Sequence, residues 1–250
     1  MKRQTPRARL DNLVVARGLA SNAQKAQAMI LAGEVFVNGV RVSKSGTPIA
    51  EDALVEINSR EQRFASRGGF KLEGALQDFH LDPTGKMCLD IGSSTGGFTD
   101  CLLQHGAIRV YAVDVTVDQI AWKLRQDARV VRVERNAKEL SAHDIPESVD
   151  LVTVDVSFIS AGKMLPPAAS VAKEDANFLI LVKPQFELRR EEIGPGGIVA
   201  DAALHEKAIS IVQQAAASAG LECLGAQPSQ LAGVEGNQEY FLHARKKSLR

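Results

Sequence analysis

Lys71, Asp155, Lys183 and Glu239 bring two ammonium groups and two carboxylates from distant parts of a 250-residue chain. Each stands at or near the end of an expected strand or helix. Between the first two lies a glycine-rich stretch in which Asp90, Gly92, Ser93, Ser94, Gly96, Gly97 and Phe98 follow one another closely. Glycines let a backbone turn tightly and approach a ligand. The spacing, G-x-x-x-G-G, fits neither the dinucleotide pattern G-x-G-x-x-G nor the phosphate loop, and no lysine stands in it to grip a triphosphate.

The loop therefore favours an adenosyl ligand without phosphates, and S-adenosyl-L-methionine is the natural candidate. In an open parallel sheet ligands lie beyond the carboxyl ends of the strands, where Asp90 ends the first strand of the alternating region. Its carboxylate is a candidate partner for the ligand's ammonium group, directly or through water. Asp114 ends the next strand and can accept both ribose hydroxyls, or else cap a helix. Asn136, after the third, can meet the adenine edge or serve as a cap.

The fourth strand ends at Asp155, followed by Val156, Ser157 and Phe158. Neither the [ND]-P-P-[YF] segment that receives a planar amine nor a nucleophilic cysteine stands here. A carboxylate does, and the fifth strand ends in Lys183. These residues suit methyl transfer to a hydroxyl, a poor nucleophile that must be aligned in line while its proton is removed. Lys183 is the candidate to receive or steer that proton. Lys71 would lower its affinity for the proton, whereas Asp155 and Glu239 would raise it and hold the amine in place.

The elements that must position these groups follow from patterning. Residues 1–71 carry twelve Lys/Arg and six Asp/Glu, net +6, and the remainder eighteen and twenty-four, net −6. A basic module for a polyanion joined to a more acidic body is the reading. In the module, Leu10, Leu13 and Val14 predict a helix ended by Gly18. Ser21 is the expected N-cap of a second helix closed by Gly33. Asn38 and Gly39 between valine-rich runs predict a hairpin, and 54–57 a third strand. Beyond a charged linker, strands are expected at 87–91, 110–113, 130–133, 151–154 and 178–182, and helices at 98–104, 120–125 and 202–219. That alternation predicts a mostly parallel α/β sheet, with 222–227 and 240–244 as an antiparallel edge pair. Aromatics are 5% of residues, so stacking on bases is not expected to dominate. Three scattered cysteines without a C-x-x-C pair argue against disulfides and zinc, and no signal peptide or membrane-length apolar run is visible. A cytoplasmic protein without metal or membrane is expected; the sequence sets no oligomeric state.

Ser66 to Leu72, the loop at 90–100, the Asp155 segment, Val182-Lys183-Pro184 and 236–241 resemble the FtsJ-type ribose methyltransferases. Their Lys-Asp-Lys-Glu tetrad falls on Lys71, Asp155, Lys183 and Glu239. Residues 94–103, 119–125 and 183–187 are similar to the TlyA, or hemolysin A, family over nearly the whole chain, and 189–199 looks like that family's mobile loop over the site. One departure is Ile91 and Ser93, where Val and Ala are the family's residues. The resemblance implies a Rossmann-like class I methyltransferase with a seven-stranded sheet at 66–250, a linker at 59–65, and a small α+β alpha-L RNA-binding domain at 1–58. It also implies S-adenosylmethionine-dependent 2′-O-methylation of cytidine in ribosomal RNA, with ribosomal subunits as partners. Arg7, Arg9, Arg17, Lys25, Asn38, Arg41 and Arg67 are the candidate RNA contacts. Two other readings remain open: a pore-forming hemolysin, and a ribosome-binding assembly factor without catalysis.

Overall fold

The structure is a computed structural model that describes residues 6–57, 63–233 and 236–248. Most of the expected linker, 59–62, lies outside the described residues. The chain divides into two compact units, Met1–Arg63 and Phe64–Arg250.

In the first unit, β1 (Arg7–Arg9) leads into α1 (Leu10–Ala16) and α2 (Ala23–Leu31), then β2 (Val35–Val37), β3 (Val40–Arg41), β4 (Pro48–Ala50) and β5 (Val55–Ile57). β2 lies between β3 and β5, all antiparallel, while β1 and β4 form a separate ribbon that the sequence reading did not foresee. Leu10, Val14, Ala26, Ile30 and Val35 are buried together as its core. The second helix is capped by Asn22, not Ser21: the Asn22 side chain accepts from the Lys25 amide at 2.8 Å. Both are good caps by type, and one residue of phase decides between them.

The second unit begins with α3 (Gly68–Asp78), then β6 (Met87–Ile91), α4 (Gly97–Gln104), β7 (Arg109–Asp114), α5 (Trp122–Arg125), β8 (Val130–Glu134) and β9 (Val149–Val154). There follow α6 (Leu165–Val171), β10 (Ala172–Val182), α7 (Pro184–Glu187), α8 (Ala202–Ser218), β11 (Leu221–Pro228) and β12 (Tyr240–Lys246). The seven strands are ordered β11-β12-β10-β9-β6-β7-β8. β10, β9, β6, β7 and β8 are mutually parallel, and β12 runs antiparallel to both its neighbours. β11 alone takes the edge, with β12 inside it. Apolar clusters pack both faces, one around Phe178, Ile180 and Leu242, the other around Leu102, Leu179 and Phe241.

The chain moves outward from β6 through β7 to β8 and then returns to the other side of β6 as β9. The strand order reverses between β6 and β9, which is where open α/β sheets bind ligands. The expected helix at 120–125 is shortened to α5 behind a 3-10 turn at Val117–Gln119. Its cause is local: the Ala121 amide donates to the Thr95 carbonyl at 3.1 Å and draws the chain back against the glycine loop.

Candidate active site

Strand register explains how four distant residues meet. β9 and β10 are parallel neighbours, with Ile180 beside Val154, so Asp155 and Lys183 emerge at adjacent strand ends. Val182 faces Tyr240 across the antiparallel pair, and one further step sets Lys183 opposite Glu239. Lys71 arrives from the first turn of α3. All four line one cavity of about 320 Å³ together with Gly92, Ser93, Ser94, Gly97 and Phe98 of the loop.

The four charges are arranged as two pairs. Lys71 Nζ donates to Glu239 Oε2 at 2.5 Å, and the Glu239 residue is 3% exposed. Lys183 Nζ lies 2.6 Å from Asp155 Oδ1 and donates to Ser157 Oγ at 3.0 Å. Asp155 Oδ1 is buried without a hydrogen bond of its own; the ammonium approaches close enough for an ion pair but too obliquely for a hydrogen bond. Lone buried ions are costly, and pairing is what makes this set tolerable so close to the core.

Backbone geometry makes the loop. Gly92 has φ +83°, and a Cβ there would come within 2.1 Å of the Asp155 carbonyl oxygen. Gly96, at φ +91°, starts α4 in a left-handed turn against Leu124. A Cβ on Gly97 would meet Ser66 Oγ at 2.2 Å. The Asp114 carboxylate accepts from the Ser94 amide at 2.9 Å and the Thr116 amide at 3.2 Å, so it braces the loop as well as its own turn.

A second cavity of about 500 Å³ adjoins the first and shares Gly92, Ser94, Asp155, Ser157 and Phe158 with it. Asp114 and Asn136 line it. Asn136 also caps a 3-10 turn by accepting from the Lys138 amide at 3.2 Å.

Two of the expected ligand residues line neither cavity, Asp90 and Gly96. The Asp90 carboxylate is fully buried, and both oxygens are taken by Thr99 Oγ1 at 2.6 Å and Thr153 Oγ1 at 2.9 Å. Burial pushes its pKa up to about 6, against the two hydroxyl hydrogen bonds. It braces the loop from beneath through these two hydroxyls. Residues 189–199 also line neither cavity. That segment is tied down: Asn237 accepts from the Val199 amide at 2.9 Å and donates to the Gly197 carbonyl at 2.8 Å.

Sequence reasoning passed over Ser157, Phe158, Gln185 and Phe186, all of which line the first cavity. Phe158 is 91% exposed, adopts φ +64°, and has its ring centroid 5.1 Å from that of Phe186. An exposed aromatic in a left-handed conformation is strained, and such strain gathers at functional sites. Its only signal in the sequence is its place, three residues beyond a strand's carboxyl end.

The candidate RNA contacts divide. Arg67 is exposed at the rim of the first cavity. In the first unit Arg7, Lys25 and Arg41 are exposed. Arg9 instead holds Asp11 through two hydrogen bonds, at 3.0 and 2.7 Å. Arg17 donates to the Ala53 and Glu51 carbonyls at 2.7 and 2.6 Å, and Asn38 accepts from the Leu54 amide at 2.9 Å.

An open parallel sheet with a glycine loop at its switch point and two lysine–carboxylate pairs facing the same cavity defines a Rossmann-like methyltransferase. The FtsJ-like methyltransferase family matches residues 64–246, and the S4 domain family matches residues 8–55. The chain is 44% identical to the 16S/23S rRNA (cytidine-2′-O)-methyltransferase TlyA of Mycobacterium tuberculosis, over 97% of this chain and 91% of that protein. It is 41% identical to hemolysin A of Brachyspira hyodysenteriae, over 94% and 98%. A solved structure from Streptococcus thermophilus, described as a hemolysin, superimposes with a TM-score of 0.76 at 38% identity, covering 98% of this chain and 90% of that one. The chain belongs to the FtsJ-like methyltransferases, in their TlyA (hemolysin A) group, and carries an N-terminal S4 domain. Among the described residues no helix is long and apolar enough to cross a membrane.

Proposed function

We propose that the chain transfers a methyl group from S-adenosyl-L-methionine to the ribose 2′-hydroxyl of a cytidine in ribosomal RNA, working in the cytoplasm on ribosomal subunits. The observation that carries this is the convergence of Lys71–Glu239 and Lys183–Asp155 on one cavity beside the glycine loop. The donor fits the residues present. Gly92 and Ser94 line both cavities, and the adjoining one offers Asp114 to ribose hydroxyls and Asn136 to an adenine edge. Gly92, Ser93, Ser94, Gly97 and Phe98 would hold the amino-acid end, with Gly96 making the turn and Asp90 bracing it from below. When bound, the donor supplies an electrophilic methyl on a sulfonium.

The chain's own residues do the rest. Lys183, as the free amine, aligns the 2′-oxygen and receives its proton as the methyl leaves the sulfonium, and Asp155 offsets the ammonium charge that results and holds it in place. Lys71, fixed by Glu239, presents the second cation. Phe158 and Phe186 offer a face on which the target base can stack. Residues 1–58, through Arg7, Lys25 and Arg41, engage RNA phosphates, which position a substrate without choosing its sequence. Residues 66–250 carry out transfer, with 59–65 between.

The relatives' names support the substrate, since the Mycobacterium tuberculosis protein is named for cytidine-2′-O methylation of ribosomal RNA. The test is mass mapping of ribosomal subunits incubated with the purified chain and methyl donor. New 2′-O-methylcytidine is the expected result, with a loss of about 10²-fold or more for Lys183→Ala. Full activity in that variant would remove the proposed role of Lys183, and no methylation by the unaltered chain would remove the reading itself.

A further inference from the structure

We propose that Ser157 is a positioning residue for Lys183, using its hydroxyl to aim the side-chain nitrogen at the incoming 2′-oxygen. The inference rests on the reading above, in which Lys183 meets that oxygen. An ammonium has three donors on a flexible four-carbon stem and no acceptor. One of its directions is assigned to Ser157 Oγ at 3.0 Å, and Asp155 Oδ1 lies 2.6 Å away as an ion pair. Lys183, Asp155 and Ser157 all line the same cavity, which leaves the nitrogen a direction open to it.

Asp155 cannot set the direction alone. Its Oδ1 approaches the ammonium without hydrogen-bond geometry, so the attraction fixes distance more than orientation. The directional contact is the one to Ser157. Nothing about the fold explains a hydroxyl there, because Ser157 is exposed and packs in neither apolar cluster. The segment carrying it is itself held by construction. Glu187 Oε1 accepts from the Ala161 amide at 2.8 Å, and Ser160 caps the turn at Ala161–Met164. Ser157 therefore presents its oxygen from a braced segment to a lysine whose side chain is 11% exposed.

Two measurements on the full chain test this. The first follows methylation of ribosomal subunits with Ser157→Ala and Ser157→Thr. Ser157→Ala should lower kcat about tenfold or more, as loss of a hydrogen bond to a charged group requires, with KM for the donor and the melting temperature unchanged. Ser157→Thr, which keeps the hydroxyl, should recover most of the loss. In a Lys183→Ala background the Ser157→Ala change should cost nothing further. The second reads Lys183 without catalysis: acetylation by acetic anhydride, measured by mass spectrometry relative to exposed Lys25. Ser157→Ala should speed Lys183 labelling severalfold and Ser157→Thr should not. Unchanged labelling in Ser157→Ala would overturn the inference even if the chain methylates no ribosomal RNA. An equal loss of kcat with and without Lys183 would overturn it as well. Absence of methylation alongside altered labelling would instead fault the substrate reading and leave the positioning role supported.

Discussion

Glu239 accepts the Lys71 ammonium at 2.5 Å although 168 residues separate them and the strand register sets Glu239 opposite Lys183. Lys183 turns the other way, to Asp155. The result is two lysine–carboxylate pairs lining one cavity. A buried carboxylate that loses the cation paired with it is left uncompensated. Lys71→Met should therefore lower the stability of the methyltransferase unit by about 3–5 kcal/mol, and adding Glu239→Gln should recover much of it. Calorimetric unfolding of the three chains checks this; equal melting of Lys71→Met and the unaltered chain would show that Glu239 does not depend on the pair.

Phe158 separates stability from activity. Its side chain is 91% exposed and its φ is +64°, so it stabilises little and strains the backbone. A glycine tolerates that conformation, and a bulky residue there costs about 1–2 kcal/mol. Phe158→Gly should melt no lower than the unaltered chain, yet bind substrate RNA more weakly and methylate it slowly. Phe158→Tyr should keep activity. A glycine variant with full activity would exclude the stacking role.

Asp90 should leave a signature in the pH dependence of stability. Burial raises its pKa to about 6, above the ordinary carboxylate range, so the folded chain holds a proton that the unfolded chain has already lost. Stability from this group is complete below about pH 4 and declines as pH rises toward 6, by about 3 kcal/mol for a shift of roughly two units. Asp90→Asn removes that slope. Its melting temperature, relative to the unaltered chain, should be higher at pH 8 than at pH 4; the same difference at both would show that the carboxyl titrates normally.

Much of the site was legible because apolar strands end abruptly. Five hydrophobic residues before Lys183, and three hydrophobic residues among the four before Asp155, placed both at the open end of a sheet, and parallel order did the rest. The glycine loop was legible from spacing, and Asp114 from its place one strand later. What was hidden lay off the periodic elements. Ser157 and Phe158 follow a strand without a pattern, and only the φ of Phe158 marks it. For Asp90, sequence shows a carboxylate beside a loop but not two threonine hydroxyls, one nine residues on and one from another strand, closing over it. α3 was not expected from sequence, and it opens on Gly68 and Gly69, residues of low helix propensity. The second of these lets Phe64 pack against the helix, where a Cβ would approach within 2.4 Å.

The S4 unit separates residues that would touch RNA from those that hold the unit together. Lys25 and Arg41 are exposed, and each phosphate contact to a single strand contributes about 0.7 to the salt slope of binding. Lys25→Ala and Arg41→Ala should each weaken RNA binding, flatten the slope by about that amount, and leave melting unchanged. Arg9 should behave differently, because its guanidinium holds the buried Asp11 carboxyl at a pKa of about 2. A depressed carboxyl stabilises the fold above the ordinary carboxylate range and loses that contribution as pH falls toward 2. Arg9→Ala should therefore lower the melting temperature of this unit at pH 7, with the deficit shrinking as the solution is acidified. Filter binding across a salt series, paired with melting at pH 7 and pH 3, distinguishes the two groups. A constant Arg9→Ala deficit at both pH values would mean that Asp11 is stabilised by contacts other than this pair.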